Sequence, residues 1–164
     1  MPLVEFRALP DDARVWIFAA SEQVTGDQAD RLLSAVDEWL VDWKAHGEPL
    51  TCARDWRDDR FLAVGVDQSS AGASGCSIDA LFRVFKALQA AGGPSMLGGS
   101  RVFHRGVSGE IVAQSRDEFA KTLVGPDTIV FDTTVTSAGA YRESFEKALR
   151  DSWHRELFAT AGRT

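Results

Sequence analysis

The residues best suited to chemistry lie in one run, Asp67-Gln68-Ser69-Ser70-Ala71-Gly72-Ala73-Ser74-Gly75-Cys76-Ser77-Ile78-Asp79. An apolar strand leads into a loop of small residues and then into a helix start. That order aims free backbone amides and the positive end of a helix dipole at one spot, where an anion can be held. Cys76 falls just before the helix, and the same field favours its thiolate. The hydroxyls of Ser74 and Ser77 add hydrogen bonds, Gly75 permits close approach, and Asp79 in the first turn opposes the field. The same residues also fit ordinary local structure: a tight turn, capping by Ser77 and Asp79, and a cysteine packed as a small hydrophobe.

Spacing removes several chemistries. No Gly-x-x-x-x-Gly-Lys-Ser/Thr occurs, so a P-loop is absent. Six residues separate Cys76 from Arg83, one too many for the cysteine phosphatase loop. No Cys-x-x-Cys occurs, and Cys52 on a neighbouring strand is placed too far along the sheet to bond Cys76, so both thiols are expected to be free. His46 is expected in the last turn of the first helix, His104 on a strand beside Phe103, and His154 near the chain end. These histidines make no zinc pattern. Asp67 and Asp132 each end an apolar strand and, with Asp79 or Glu110, form an alternative magnesium site.

The elements that must position these residues follow from periodicity. Residues 14–20 are apolar on both faces, as in a covered strand. Thr25 and Gln28 suggest a capping box for a helix carrying Ala29, Leu32, Leu33, Val36, Leu40 and Trp43, with its stop at Gly47. Residues 50–54 and 61–66 form a hairpin around residues 56–59. A second helix buries Ile78, Leu81, Phe82, Phe85 and Leu88 and stops at Gly92-Gly93-Pro94. Residues 101–105 and 110–114 form another hairpin, Ser115 and Glu118 open a short helix, residues 128–131 form a strand, and residues 140–158 form a terminal helix. The β-α-β-β-α-β start is ferredoxin-like. The expected class is α+β, one mainly antiparallel sheet covered by helices, with a ribonuclease-H-like mixed sheet as the alternative.

The chain has 164 residues, 45% hydrophobic and 26% charged, with five Trp, ten Phe and two Cys. This is the size and make-up of a single globular domain, residues 1–164, with free thiols in a reducing compartment. No basic-then-apolar leader occurs, and no run reaches the ~18 apolar residues of a membrane span. The net charge of −6 is spread along the chain without a basic cluster, which disfavours nucleic acid. The expected location is cytoplasmic.

Val15-Trp16-Ile17-Phe18, Trp43-Lys44-Ala45-His46-Gly47, Val66-Asp67, Ser74-Gly75-Cys76-Ser77-Ile78-Asp79, Val130-Phe131-Asp132 and Ser152-Trp153-His154 together resemble a family of small uncharacterised bacterial proteins. Members often carry the label "ABC transporter ATPase". The resemblance spans nearly the whole chain, and Ser-Gly-Cys-Ser-Ile-Asp is its most specific motif. An ABC ATPase needs a Walker A loop, which this chain lacks, so the resemblance implies no activity.

The expected function is binding of a small anionic ligand at the loop before the second helix, with Cys76 as nucleophile. Asp67, Ser74, Gly75, Ser77, Asp79 and His46 or His104 would surround it. No cofactor is implied. The alternatives are a non-catalytic interaction module presenting Trp43, Trp56 and Trp153, and a magnesium-dependent phosphoryl-transfer enzyme.

Overall fold

The computed structural model describes residues 4–45, 48–49, 51–67, 69, 78–96, 101–122 and 124–157. The class is α+β, and every described strand pair is antiparallel. Strands β1 (Arg14–Ala19), β4 (Thr51–Arg57) and β5 (Phe61–Asp67) form a sheet in the order β1-β5-β4, and α1 (Gly26–Val41) connects β1 to β4. Because β1 and β4 each run antiparallel to β5, they are parallel to one another with β5 between them. This is the split β-α-β of the expected ferredoxin-like start.

Residues 61–66 of the central strand are all buried, because both faces are covered. Leu62, Val64 and Val66 join Phe18 and Cys52 against α1 and α2 (Asp79–Ala90), where Leu32, Val36, Leu40, Leu81 and Phe85 complete one core. On the other face Phe61 and Ala63 join Val15, Ala19 and Ala53 in a second core. Gly65 lies under Leu9 and Phe6, and a Cβ there would stand 2.5 Å from the Leu9 Cδ1. The continuous apolar run that left a mixed sheet open therefore reflects an antiparallel strand with cover on both sides.

The expectation of one extended sheet is corrected. Strands β6 (Val102–Arg105), β7 (Ile111–Gln114), β8 (Ile129–Phe131) and β9 (Glu146–Ala148) form a second sheet in the order β7-β6-β8-β9. Its Phe103 and Phe131 meet Phe61 of the first sheet at ring distances of 5.1 and 5.0 Å. Each phenylalanine ring taken out of water between the two layers contributes roughly 1.5–3 kcal/mol.

The terminal helix is also shorter than expected. Helix α4 (Ala138–Ser144) does place Tyr141 and Phe145 in the second core, but Glu146–Ala148 then pairs with β8. A strand sends alternate side chains to opposite faces. Glu146 thus reaches Arg57 (2.5 Å) and Arg105 (3.0 Å), while Lys147 reaches Asp132 (3.0 Å). Helix α1 ends at Val41 rather than Gly47, and Lys44–Ala45 (β2) pairs with Glu48–Pro49 (β3). Its Thr25 makes no side-chain cap, and Gly26 is left-handed at φ 59°. The Ser115 cap does form, accepting the Glu118 N–H at 3.1 Å at the start of α3 (Arg116–Ala120). The first hairpin turns at Asp58 and Asp59, both at positive φ, which leaves Trp56 inside β4.

Candidate functional site

Five of the expected site residues, His46, Ser74, Gly75, Cys76 and Ser77, lie outside the described residues. Asp67 ends β5, and its Oδ1 accepts the Ser69 N–H (3.0 Å) and hydroxyl (2.6 Å), an ordinary strand-end turn. Asp79 is exposed in the first turn of α2. His104 is buried in the second sheet, with Nε2 2.8 Å from the Gln114 amide oxygen and its ring against Phe119. Cys52 is fully buried with its Sγ on the Leu40 carbonyl at 3.4 Å, and burial pushes the thiol up to about 11, far from a nucleophile.

Asp132, an expected magnesium ligand, is already saturated by protein donors. Its carboxylate accepts the Thr134 N–H (3.0 Å), the Thr134 hydroxyl (2.5 Å), the Lys147 ammonium (3.0 Å) and the Trp153 indole N–H (3.2 Å). Burial works to raise this carboxyl, and the hydrogen bonds from Thr134, Lys147 and Trp153 outweigh it and hold it below the usual range. Glu110 instead accepts the Ser108 N–H in its own hairpin turn. Among the described residues no three of His, Cys, Asp or Glu gather as a metal site.

Two motifs far apart in the chain meet at Asp132. Trp153 reaches it from the C-terminal segment and stacks on His154 at 3.9 Å. His154 is buried, with Nδ1 2.5 Å from the Ser152 hydroxyl. Burial pushes its imidazole down to about 4, so it is neutral at pH 7. The Ser152 and His154 side chains are both closed to solvent. The Trp153 indole thus ties this C-terminal segment to the Asp132 carboxylate at the end of β8, directly before residues 133–136.

Those residues form one wall of an open groove of about 580 Å³. The second wall is α2, through Phe82 and Lys86, and the floor is β1. The first strand is the edge of its sheet. Its Val15 N–H donates to the Thr136 carbonyl (2.9 Å), and Arg14 bridges Ser137, which docks the loop on the first half of that edge. Arg14 lies over the Trp16 ring at 5.1 Å, and its buried Nε has no hydrogen-bond partner among the described residues. Lys86 is exposed and makes no ion pair among the described residues. Two cations thus border a groove lined by Trp16, Phe18 and Phe82 in a chain of net charge −6.

Sequence reading singled out none of Arg14, Trp16, Phe82 or Lys86 as site residues. The signal that points to this wall is the run Thr133-Thr134-Val135-Thr136 directly after a strand-ending Asp, polar and β-branched where a plain turn would suffice. The tryptophans expected on a partner surface are packed: Trp43 is buried against Trp16 and Trp39, and Trp56 and Trp153 are half-buried. Among the described residues no helix is long and apolar enough to cross a membrane. No family model, curated protein or solved structure matches the chain.

Proposed function

We propose that this chain binds a small anionic ligand with an apolar or aromatic body in the groove between β1, α2 and residues 133–136. The observation that carries the reading is the pairing of Arg14 and Lys86 with the apolar surface of Trp16 and Phe82. A buried guanidinium N–H without a partner forfeits a hydrogen bond that an anion would restore, and charge-assisted bonds of this kind contribute roughly 1.5–3 kcal/mol. The groove volume falls in the range of small-molecule sites, which join apolar walls to a few placed polar groups. The ligand class is the one expected from the sequence for the Cys76 loop, and the groove that carries it here is built from other residues.

The test is a fluorescence titration with anilinonaphthalene sulfonate, which joins an aromatic body to a fixed negative charge, beside its uncharged analogue phenylnaphthylamine. The sulfonate binds at least tenfold more tightly than the neutral analogue, and Lys86→Glu abolishes that preference. Equal binding of both probes, or full preference in the Lys86→Glu protein, overturns the reading. Nucleophilic chemistry at Cys76 is a separate proposal, tested by alkylation below.

A further inference from the structure

Three tryptophans run ring to ring from the floor of the groove to the C-terminal end of α1. Trp16 lines the groove, its ring centre lies 5.8 Å from that of Trp43, and Trp43 lies 4.7 Å from Trp39. Trp43 is buried, and Trp16 and Trp39 are half-buried. The Trp43 indole N–H is buried without an acceptor among the described residues, a cost that a purely apolar ring avoids. The charges at the two ends of this row differ. Arg14 lies over Trp16 at 5.1 Å, and Lys86 borders the same groove. At the other end Glu38 and Asp42 are exposed within a turn of Trp39, which itself sits in the last turn of α1, where the helix dipole is negative. A positive charge is therefore less stable on Trp16 than on Trp39.

We propose that these rings pass an electron from Trp39 to an aromatic anion in the groove that becomes a strong one-electron oxidant when excited by light, the chemical class of the flavin phosphates. This rests on the anion-binding reading of the same groove and names its ligand class. The excited ligand takes one electron from the Trp16 indole, Trp43 refills Trp16, and Trp39 refills Trp43. Each hop moves one electron toward the ligand and one positive charge toward α1. An oxidised indole is a strong acid, yet Trp43 has no acceptor for its proton among the described residues, so it passes the charge on. Trp39 releases its indole proton to water and stays a neutral radical until the reduced ligand returns the electron and water returns the proton. A bound anion offsets part of Arg14, and the carboxylates and helix end beside Trp39 still set the direction. The chain's one tyrosine, Tyr141, lies in the other core, away from this row.

The experiment titrates flavin mononucleotide into the whole chain, then excites the saturated complex with a blue laser flash while transient absorption follows the flavin and tryptophan radicals. Flavin mononucleotide binds, and the radical pair lives at least tenfold longer in the natural chain than in Trp39→Phe, which removes the outer ring without touching the groove. Trp43→Phe, which breaks the row at its middle, shortens the lifetime in the same way. Equal lifetimes in the natural chain and the variants overturn the relay, while flavin binding leaves the groove reading standing. If anilinonaphthalene sulfonate binds and flavin mononucleotide does not, the inference falls and the groove reading stands. If neither probe binds, the groove reading falls and this inference with it.

Discussion

Acidification from pH 8 to 4 tests the fastening of the groove wall. His154 is neutral and buried beside Ser152 and Trp153, and it keeps its imidazole unprotonated down to about pH 4. Burial is the main cause. The Asp132 carboxylate opposes it, and the positive charges of Lys147 and Arg116, with His104 nearby, reinforce it. An unfolded histidine takes its proton near pH 6.5. Above that value neither state binds the proton and His154 leaves stability independent of pH. Between about 6.5 and 4 the unfolded state binds one proton more than the native state, so stability falls as pH falls. A gap from 6.5 to about 4 at 1.36 kcal/mol per pH unit corresponds to roughly 3 kcal/mol. Asp132, held low by its hydrogen bonds, adds its own loss only as pH falls below the usual carboxylate range, so the two windows separate. Urea denaturation at half-unit steps of pH, on the natural chain and on His154→Phe, isolates the effect. The phenylalanine keeps a ring against Trp153 and has no proton to bind. Its stability curve should be flatter by roughly 3 kcal/mol between pH 6.5 and 4. Parallel curves would refute a buried neutral His154.

Alkylation with iodoacetamide at pH 8 should leave Cys52 unmodified in the folded chain, because its thiol is buried and raised to about 11. Peptide mass mapping should place any rapid label at Cys76, and slow labelling of both would remove Cys76 as a nucleophile. Phe61→Ala should cost about 4 kcal/mol in denaturant titrations, since the ring meets Phe103, Phe131 and Phe145 at 5.0–5.1 Å, and a loss below about 1.5 kcal/mol would deny that this contact joins the two sheets. Glu146→Gln should cost about 1 kcal/mol, less in high salt, because the carboxylate bridges Arg57 and Arg105 at a partly exposed junction. A loss unchanged by salt would mean the bridge is not electrostatic.

What could be read from the residues alone was local. The hairpin at residues 102–114, the Ser115 cap and the stop of α2 at Gly92 each rest on turn or cap chemistry within a few positions, and each forms as expected. What could not be read was non-local. Residues 141–149 have good helical spacing, yet the last of them leave the helix because Glu146 and Lys147 find partners on opposite faces of a strand. Nothing in the sequence of residues 102–105 records that Phe103 stacks on Phe61, so the place of this strand in a second sheet is not legible there. The groove has the same character. Arg14, Trp16, Phe82, Lys86 and Thr134 come from three separated segments, and no motif spacing links them. The motifs Val130-Phe131-Asp132 and Ser152-Trp153-His154 were visible as separate words, and only the fold joins them, through one indole N–H on one carboxylate.

The central claim is that an anion with an apolar body sits over β1 and against Lys86. An amide NMR titration of the isotope-labelled chain with anilinonaphthalene sulfonate tests it most directly. The account predicts shifts concentrated at Trp16, Ile17, Lys86 and Thr134, with the Trp16 indole among the largest. Shifts centred instead on Asp79 at the start of α2, or scattered over the surface without saturation, would contradict it.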